Sequence, residues 1–191
     1  MGIKRRISSF FGKTYLKIKN VKIGSNPIFY GFPCVRIAKG GNIIIGDNVV
    51  LCSNSTGNPL CVNHPVCLSV IYPEGEIIIG NNTGISGASI CAAKSVKIGD
   101  NCLIGANVTI SDFDFHSLNP VGRRYNTSKE AIGCKPVVIE DNVWLGLNVI
   151  VLKGVTIGKN SVIAAGSIVT KSIPSNCVAA GNPARIIKKL I

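Results

Sequence analysis

Among 191 residues with only nine acidic side chains and two histidines, Asp112, Asp114 and His116 fall in the single run Asp112-Phe113-Asp114-Phe115-His116. An imidazole ordinarily titrates at about 6.5 and is suited to take a proton from a hydroxyl near neutral pH. A neighbouring carboxylate can fix the ring tautomer or bind the hydroxyls of a second substrate, and the spacing leaves Asp112 and Asp114 both open for either task. The second histidine, His64, stands between Cys61 and Cys67 at C-x2-H-x2-C spacing. Zinc in a closed site takes four ligands. No fourth follows nearby, although Cys34 or Cys52 could fold in, so the segment reads as a packed loop and no metal is expected.

The elements that must position these residues are short and repetitive. An aliphatic-led unit of six residues runs through Ile139, Leu145, Val151, Ile157, Ile163 and Val169. Upstream the same step links Ile79, Ile85 and Cys91, slips by one, and then links Ile98, Ile104 and Ile110; Ile45 to Leu51 and Ile23, Phe29, Val35 extend it. A spacing of six fits neither an amphipathic helix nor a long strand, and implies a short strand followed by a corner. Three residues after successive leads stand Asn48, Asn82, Asn101, Asn107, Asn142, Asn148 and Asn160, with Gly154 and Gly166 in the same register. These are the residue types that tolerate a left-handed backbone. Two residues before the leads, Cys102, Val108, Val143, Val149, Val155, Ser161 and Ser167 are small or β-branched, as a thin prism requires. Three units close a triangular coil, and stacked coils pair through parallel backbone hydrogen bonds. The pattern breaks from Ser111 to Val137, around His116, and again from about Thr56 to Pro73, around His64. Long irregular loops in compact domains are usually functional.

Composition narrows the class. With 46% apolar and 16% charged residues the chain is not disordered. The mean hydropathy of +0.36 is spread over short pieces, and no apolar run approaches the roughly eighteen residues of a membrane span. No secretory signal is read at the N-terminus. The eight cysteines, several at apolar repeat positions, read as reduced, packed thiols, which places the chain in the cytoplasm. The net charge of +12 invites a nucleic-acid reading, but seven basic residues fall in the first twenty-two positions and no aromatic stacking platform accompanies the rest. Nucleic acid is therefore not expected. Lys4, Arg5, Arg6, Lys13, Lys17, Lys19 and Lys22 beside Ile3, Ile7, Phe10, Phe11, Tyr15 and Leu16 instead make residues 1–22 a candidate for peripheral contact with an anionic membrane face.

The repeat, the run at Asp112–His116, the run Asp141-Asn142-Val143-Trp144-Leu145-Gly146 and the tail from Val169-Thr170-Lys171 to Ala180-Gly181-Asn182-Pro183-Ala184-Arg185 together resemble the hexapeptide-repeat acyltransferases. Within them they are similar to the sugar and polysaccharide O-acetyltransferases related to galactoside, maltose and streptogramin acetyltransferases. The resemblance implies an all-β, left-handed parallel β-helix over residues 23–185. An irregular basic segment (1–22), a loop protruding at about 111–137 and a short tail (186–191) complete the expected organisation. It also implies a homotrimer with sites between subunits, acetyl-CoA as donor, a carbohydrate acceptor, and His116 as general base with Asp112 and Asp114 in the catalytic loop. Trp144 and Leu147 would lie along the pantetheine arm, and Ala165, Thr170, Lys171 and Arg185 would contact coenzyme A. The expected reaction is direct O-acetylation of a sugar or polysaccharide precursor. N-acetylation of an amino sugar, free or nucleotide-linked, and acetylation of a streptogramin-type antibiotic are the alternatives. Carbonic anhydrases of the same fold need three metal-binding histidines, one more than this chain has. Where relatives acting on galactosides carry Asn and Asp, Ile85 to Ala93 offers only serines as polar side chains, so a different acceptor pocket is expected.

Overall fold

The computed structural model describes residues 3–126 and 128–190, with side chains from Ser9 onward. The chain visits three parallel sheets in turn. The first face holds Lys22–Ile23, Asn42–Ile45, Glu76–Ile79, Ser95–Ile98, Val137–Ile139 and Thr156–Ile157. The second holds Ile28–Tyr30, Val50–Cys52, Gly84–Ser86, Leu103–Ile104, Trp144–Leu145, Val162–Ile163 and Cys177–Gly181. The third holds Cys34–Ile37, Cys67–Val70, Ser89–Ala92, Thr109–Ser111, Ile150–Val151 and Ile168–Val169. Lead residues therefore stack in columns, such as Ile79, Ile98, Ile139 and Ile157 on the first face and Ile85, Ile104, Leu145 and Ile163 on the second. All are buried, each worth about 1.5–3 kcal/mol of transfer free energy. The small residues two positions earlier, Cys102 to Ser167, are buried beside them.

Every corner residue expected from the repeat has positive φ, from 56° at Asn82, Asn142 and Asn148 to 76° at Gly154. At the corner between the first and second faces the asparagines also bond to one another: Asn48 Nδ2 donates to Asn82 Oδ1 (3.0 Å), Asn142 to Asn160 (2.9 Å) and Asn160 to Asn176 (2.8 Å). A parallel ladder of acids and amides runs beside it, in which Asp47, Asn81, Asp100 and Asp141 each accept from a backbone N–H of the preceding coil. At the corner between the second and third faces, the coils approach so closely that a Cβ on Gly146 would lie 2.6 Å from the Ala165 nitrogen.

Four expectations are corrected. The basic N-terminal segment is not irregular: Ile3–Ile18 form a helix, α1. It lies over the first coil, with Leu16 fully buried and Gly12 tight against the Phe29 ring. The last residues are not a tail either, because Ala184–Lys189 turn back and pair antiparallel with Cys177–Gly181. The phase slips one step earlier than the sequence implied. Ile90, not Cys91, aligns with Ile110, because Gly87 at φ 50° cuts that corner short. The second break is likewise shorter than Thr56 to Pro73, since Cys67–Val70 already form the third face.

The corner geometry generates a test. Asn160→Ala keeps φ near 63° without a side chain that favours it and removes both rungs of the amide ladder. It should lower unfolding free energy by about 1–2 kcal/mol, and Asn160→Gly should recover most of that, read from urea midpoints. Equal loss in both variants would put the stabilisation in the ladder rather than the backbone.

Candidate functional site

The break around His116 opens at the corner between the third and first faces and closes on itself through a narrow neck. Lys135 N donates to Asp112 O (2.8 Å) and Asp114 N to Gly133 O (3.0 Å), while Phe113 bridges Cys134. Gly154 N then donates to Lys135 O (2.9 Å), so the coil below continues in register. Asp112 is fully buried, and its carboxylate accepts from three successive amides of the coil above: Ala93 (2.6 Å), Lys94 and Ser95 (both 2.7 Å). Such a nest holds an anion well. Of the two carboxylates considered for the tautomer of His116, Asp112 thus has both oxygens occupied by backbone and acts as the upper anchor of the loop.

Asp114 is the lower anchor. Lys153, on the coil below, donates to its Oδ1 at 2.5 Å, and both side chains are largely buried. The other oxygen, Oδ2, is buried without a partner, packed where a Cβ on Gly133 would meet it at 2.6 Å. Phe115 follows in the left-handed region (φ 64°), its ring 4.1 Å from that of Phe113, and His116 N donates to Asp114 O (2.8 Å). This turn carries the imidazole out of the neck into solvent. His116 lines an open cleft of about 580 Å³ with Pro120, Gly122, Arg123, Arg124 and Tyr125. A second, more apolar cavity of about 320 Å³ lies under the returning limb of the loop, lined by Tyr72, Ala93, Phe113, Ile132 and Cys134 with Lys94, Lys129 and Glu74.

Residues expected to contact a cofactor divide between two corners. Trp144 points outward from the second face, half exposed, with Leu103 beside it on the strand above. Leu147 and Ala165 occupy the corner between the second and third faces, on successive coils; Gly166 N donates to Leu147 O (2.8 Å). Thr170 and Lys171 stand at the next corner, below Lys153 and on the same edge as the His116 loop. The strands of the third face, Ile150–Val151 and Ile168–Val169, lie between the two groups. Arg185 lies on the antiparallel hairpin, exposed.

Around Asp112 the thiols are held toward their protonated form. Burial and then the charge of Asp112 push Cys91 up to about 11, and the same causes raise Cys134. His64 Nδ1 lies 2.8 Å from Pro65 O and Cys67 belongs to a strand. Among the described residues no three metal-ligating side chains gather. Sequence reading missed Lys153, Arg123 and Arg124. Lys153 reads there as an ordinary corner cation, and the arginines lie in a stretch without periodicity.

A family model for the hexapeptide repeat of succinyl-transferase matches residues 76–111 and 136–171, omitting the loop between. A putative lipopolysaccharide biosynthesis O-acetyl transferase, WbbJ of Escherichia coli K12, is 34% identical over 163 residues, 83% of this chain and 76% of that protein. Galactoside O-acetyltransferase of the same organism is 48% identical over 99 residues, half of this chain and 45% of that protein, so the match spans less than half of that relative. Among solved structures, a hexapeptide-repeat acetyltransferase of Vibrio cholerae in complex with acetyl coenzyme A is 40% identical over 60% of this chain and 61% of that one, with a TM-score of 0.55. The winding is that of the left-handed β-helix.

If Lys153 holds the loop, Lys153→Met should leave Asp114 uncompensated and lower unfolding free energy by about 1–3 kcal/mol. Limited proteolysis between 115 and 133 should accelerate with it. The double variant Lys153→Met with Asp114→Asn should recover part of both, and unchanged proteolysis would show that the loop is held elsewhere.

Proposed function

The chain belongs to the hexapeptide-repeat acetyltransferases, in their sugar O-acetyltransferase branch, and from that membership we propose that it transfers the acetyl group of acetyl-CoA to a hydroxyl of a sugar or polysaccharide precursor. The observation that carries this reading is the single opening of the coil at which an exposed histidine is held on a doubly anchored loop above an open cleft. In the reaction, His116 takes the proton of an acceptor hydroxyl as its oxygen attacks the thioester carbonyl. Backbone N–H groups stabilise the tetrahedral oxyanion. The intermediate then collapses, the C–S bond breaks, and the imidazolium returns the proton to the departing sulfur. No covalent enzyme intermediate forms, a route favoured by the raised pKa of the nearby thiols. Asp112 and Asp114 act by holding the loop.

Coenzyme A would lie with its pantetheine arm against Trp144, Leu147 and Ala165 and its phosphates near Thr170, Lys171 and Arg185. Because those residues occupy two corners of one prism, the reading includes a homotrimer in which the corner of one chain faces the His116 loop of the next. The exposure of Leu118, Val121 and Tyr125 on that loop supports such a contact. All eight cysteines are unpaired, which supports a cytoplasmic setting. Among the described residues no helix is long and apolar enough to cross a membrane. Peripheral contact through α1 is supported by the exposure of Phe10, Phe11 and Ile18 beside Lys17, Lys19 and Lys22. The side chains of Ile3, Lys4, Arg5, Arg6 and Ile7 lie outside the described residues.

Kinetics separate the roles. His116→Asn should reduce kcat about 10²- to 10⁴-fold, while sedimentation still shows a trimer that binds coenzyme A. Lys171→Ala and Arg185→Ala should instead raise KM for acetyl-CoA several-fold with kcat nearly intact. Full activity of His116→Asn on hydroxyl acceptors would sink the mechanism, and turnover restricted to amines would favour N-acetylation. For α1, co-sedimentation with vesicles containing anionic lipid should fall when residues 1–22 are removed; binding that is absent, or unaltered by the truncation, removes the membrane contact.

A further inference from the structure

The cleft that holds His116 has a charge pattern of its own. Two of its six lining residues are consecutive arginines, Arg123 and Arg124, and Tyr125 follows them. From Leu118 to Lys129 the loop contains no acidic residue. Two other cations around the loop are matched: Lys153 bonds Asp114, and Lys129 bonds Glu74 at 2.8 Å while lying over the Tyr72 ring. Arg123, which lines the cleft, is fixed by one arm only, Nη2 donating to Leu118 O at 2.9 Å; among the described residues the rest of its fork has no partner. Among the described residues Arg124 makes no hydrogen bond, ion pair or ring contact. Both arginines are exposed. A guanidinium is a planar array of donors that meets a carboxylate or phosphate through two parallel hydrogen bonds, and two of them in one cleft repel each other unless an anion joins them.

We propose that the acceptor is an anionic saccharide, a sugar bearing a carboxylate or phosphate group, held through that group by Arg123 and Arg124 so that one of its hydroxyls faces His116. This rests on the O-acetyl transfer reading and extends it to the substrate class. The flat walls of Pro120 and Tyr125 suit the apolar face of the ring, and the arginines take the charge.

The test compares thiol release from acetyl-CoA with three acceptors: a methyl hexoside, the corresponding methyl uronoside and a hexose phosphate. The expected result is a kcat/KM for one or both anionic acceptors at least about tenfold above the neutral one, declining as salt is raised. In Arg124→Gln and Arg123→Gln the ratio should approach one; in Arg124→Lys it should be intermediate, because charge is kept and the fork is lost. Lys39→Gln, at an exposed cation elsewhere on the coil, should leave the ratio as in the wild type. A binding measurement independent of turnover is the His116 ring-proton resonance in the coenzyme A complex. It should move saturably on titration with the uronoside or the phosphate and not with the hexoside, and the movement should vanish in Arg124→Gln. Equal rates on neutral and anionic acceptors, with His116 essential, keep the transfer reading and overturn this one. A raised KM for acetyl-CoA in the arginine variants assigns them to the donor phosphates and also overturns it. If the uronoside and the phosphate both leave the His116 resonance unmoved, the anion site does not exist.

Discussion

Each residue of a parallel β-helix must sit on its counterpart one coil away, because a strand of two or three residues keeps its backbone hydrogen bonds only in that stacking. Ile98 on Ile139 and Ile104 on Leu145 are consequences of the same register. The prism has no other way to satisfy its backbone, and apart from Phe29 beneath α1 its core column is aliphatic. An inserted segment is therefore tolerated only at a corner and only if the chain re-enters where it left. The loop from 112 to 136 meets that condition through the neck in which Lys135 bonds Asp112 before the coil resumes.

The anchoring of the loop follows from how few acids there are. Asp47, Asp100 and Asp141 belong to the ladder at one corner, and Glu140 accepts from Lys159 N (2.7 Å) beside it. Asp112 repeats the chemistry of that ladder at a different corner, with three amides instead of one. Asp114 meets a cation from the coil below. Loop placement is thereby referred to two coils at once, one above and one below, and the histidine inherits the rigidity of both.

Much of this was legible in the sequence because period and backbone conformation are local properties. The asparagines announced left-handed corners, the aliphatic leads announced the core, and the loss of period marked the loop that bears His116. The helix at Ile3–Ile18 was not legible, because its burial depends on Phe29 and the first coil beneath it. Ile90 was mistaken for a neighbour of the lead position because a five-residue side needs Gly87 in an unusual conformation, visible only in the backbone. The task of Asp112 was hidden for a similar reason. Its partners at Ala93 to Ser95 are main-chain groups nineteen to seventeen residues away, and no residue type signals them. Lys153, thirty-nine residues from Asp114, could be paired with it only once the coils were stacked.

The corner between the second and third faces has a property that the other two lack. Its segments Ser53–Val66, Ser86–Ala88, Gly105–Val108, Gly146–Val149 and Ala164–Ser167 contain no Asp, Glu, Lys or Arg. Down the whole length of the molecule this edge is a strip of small side chains and peptide groups, while the formal charges lie on the faces and around the remaining corners. A flexible, uncharged chain laid along it would lose hydration against amides alone and would disturb no ion pair. Apart from His64 within Ser53–Val66, no side chain of these segments changes charge near neutral pH, whereas His116, Arg123 and Arg124 lie on the loop at another corner. A molecule lying along this uncharged edge would therefore meet a surface whose hydrogen bonding does not change with the medium.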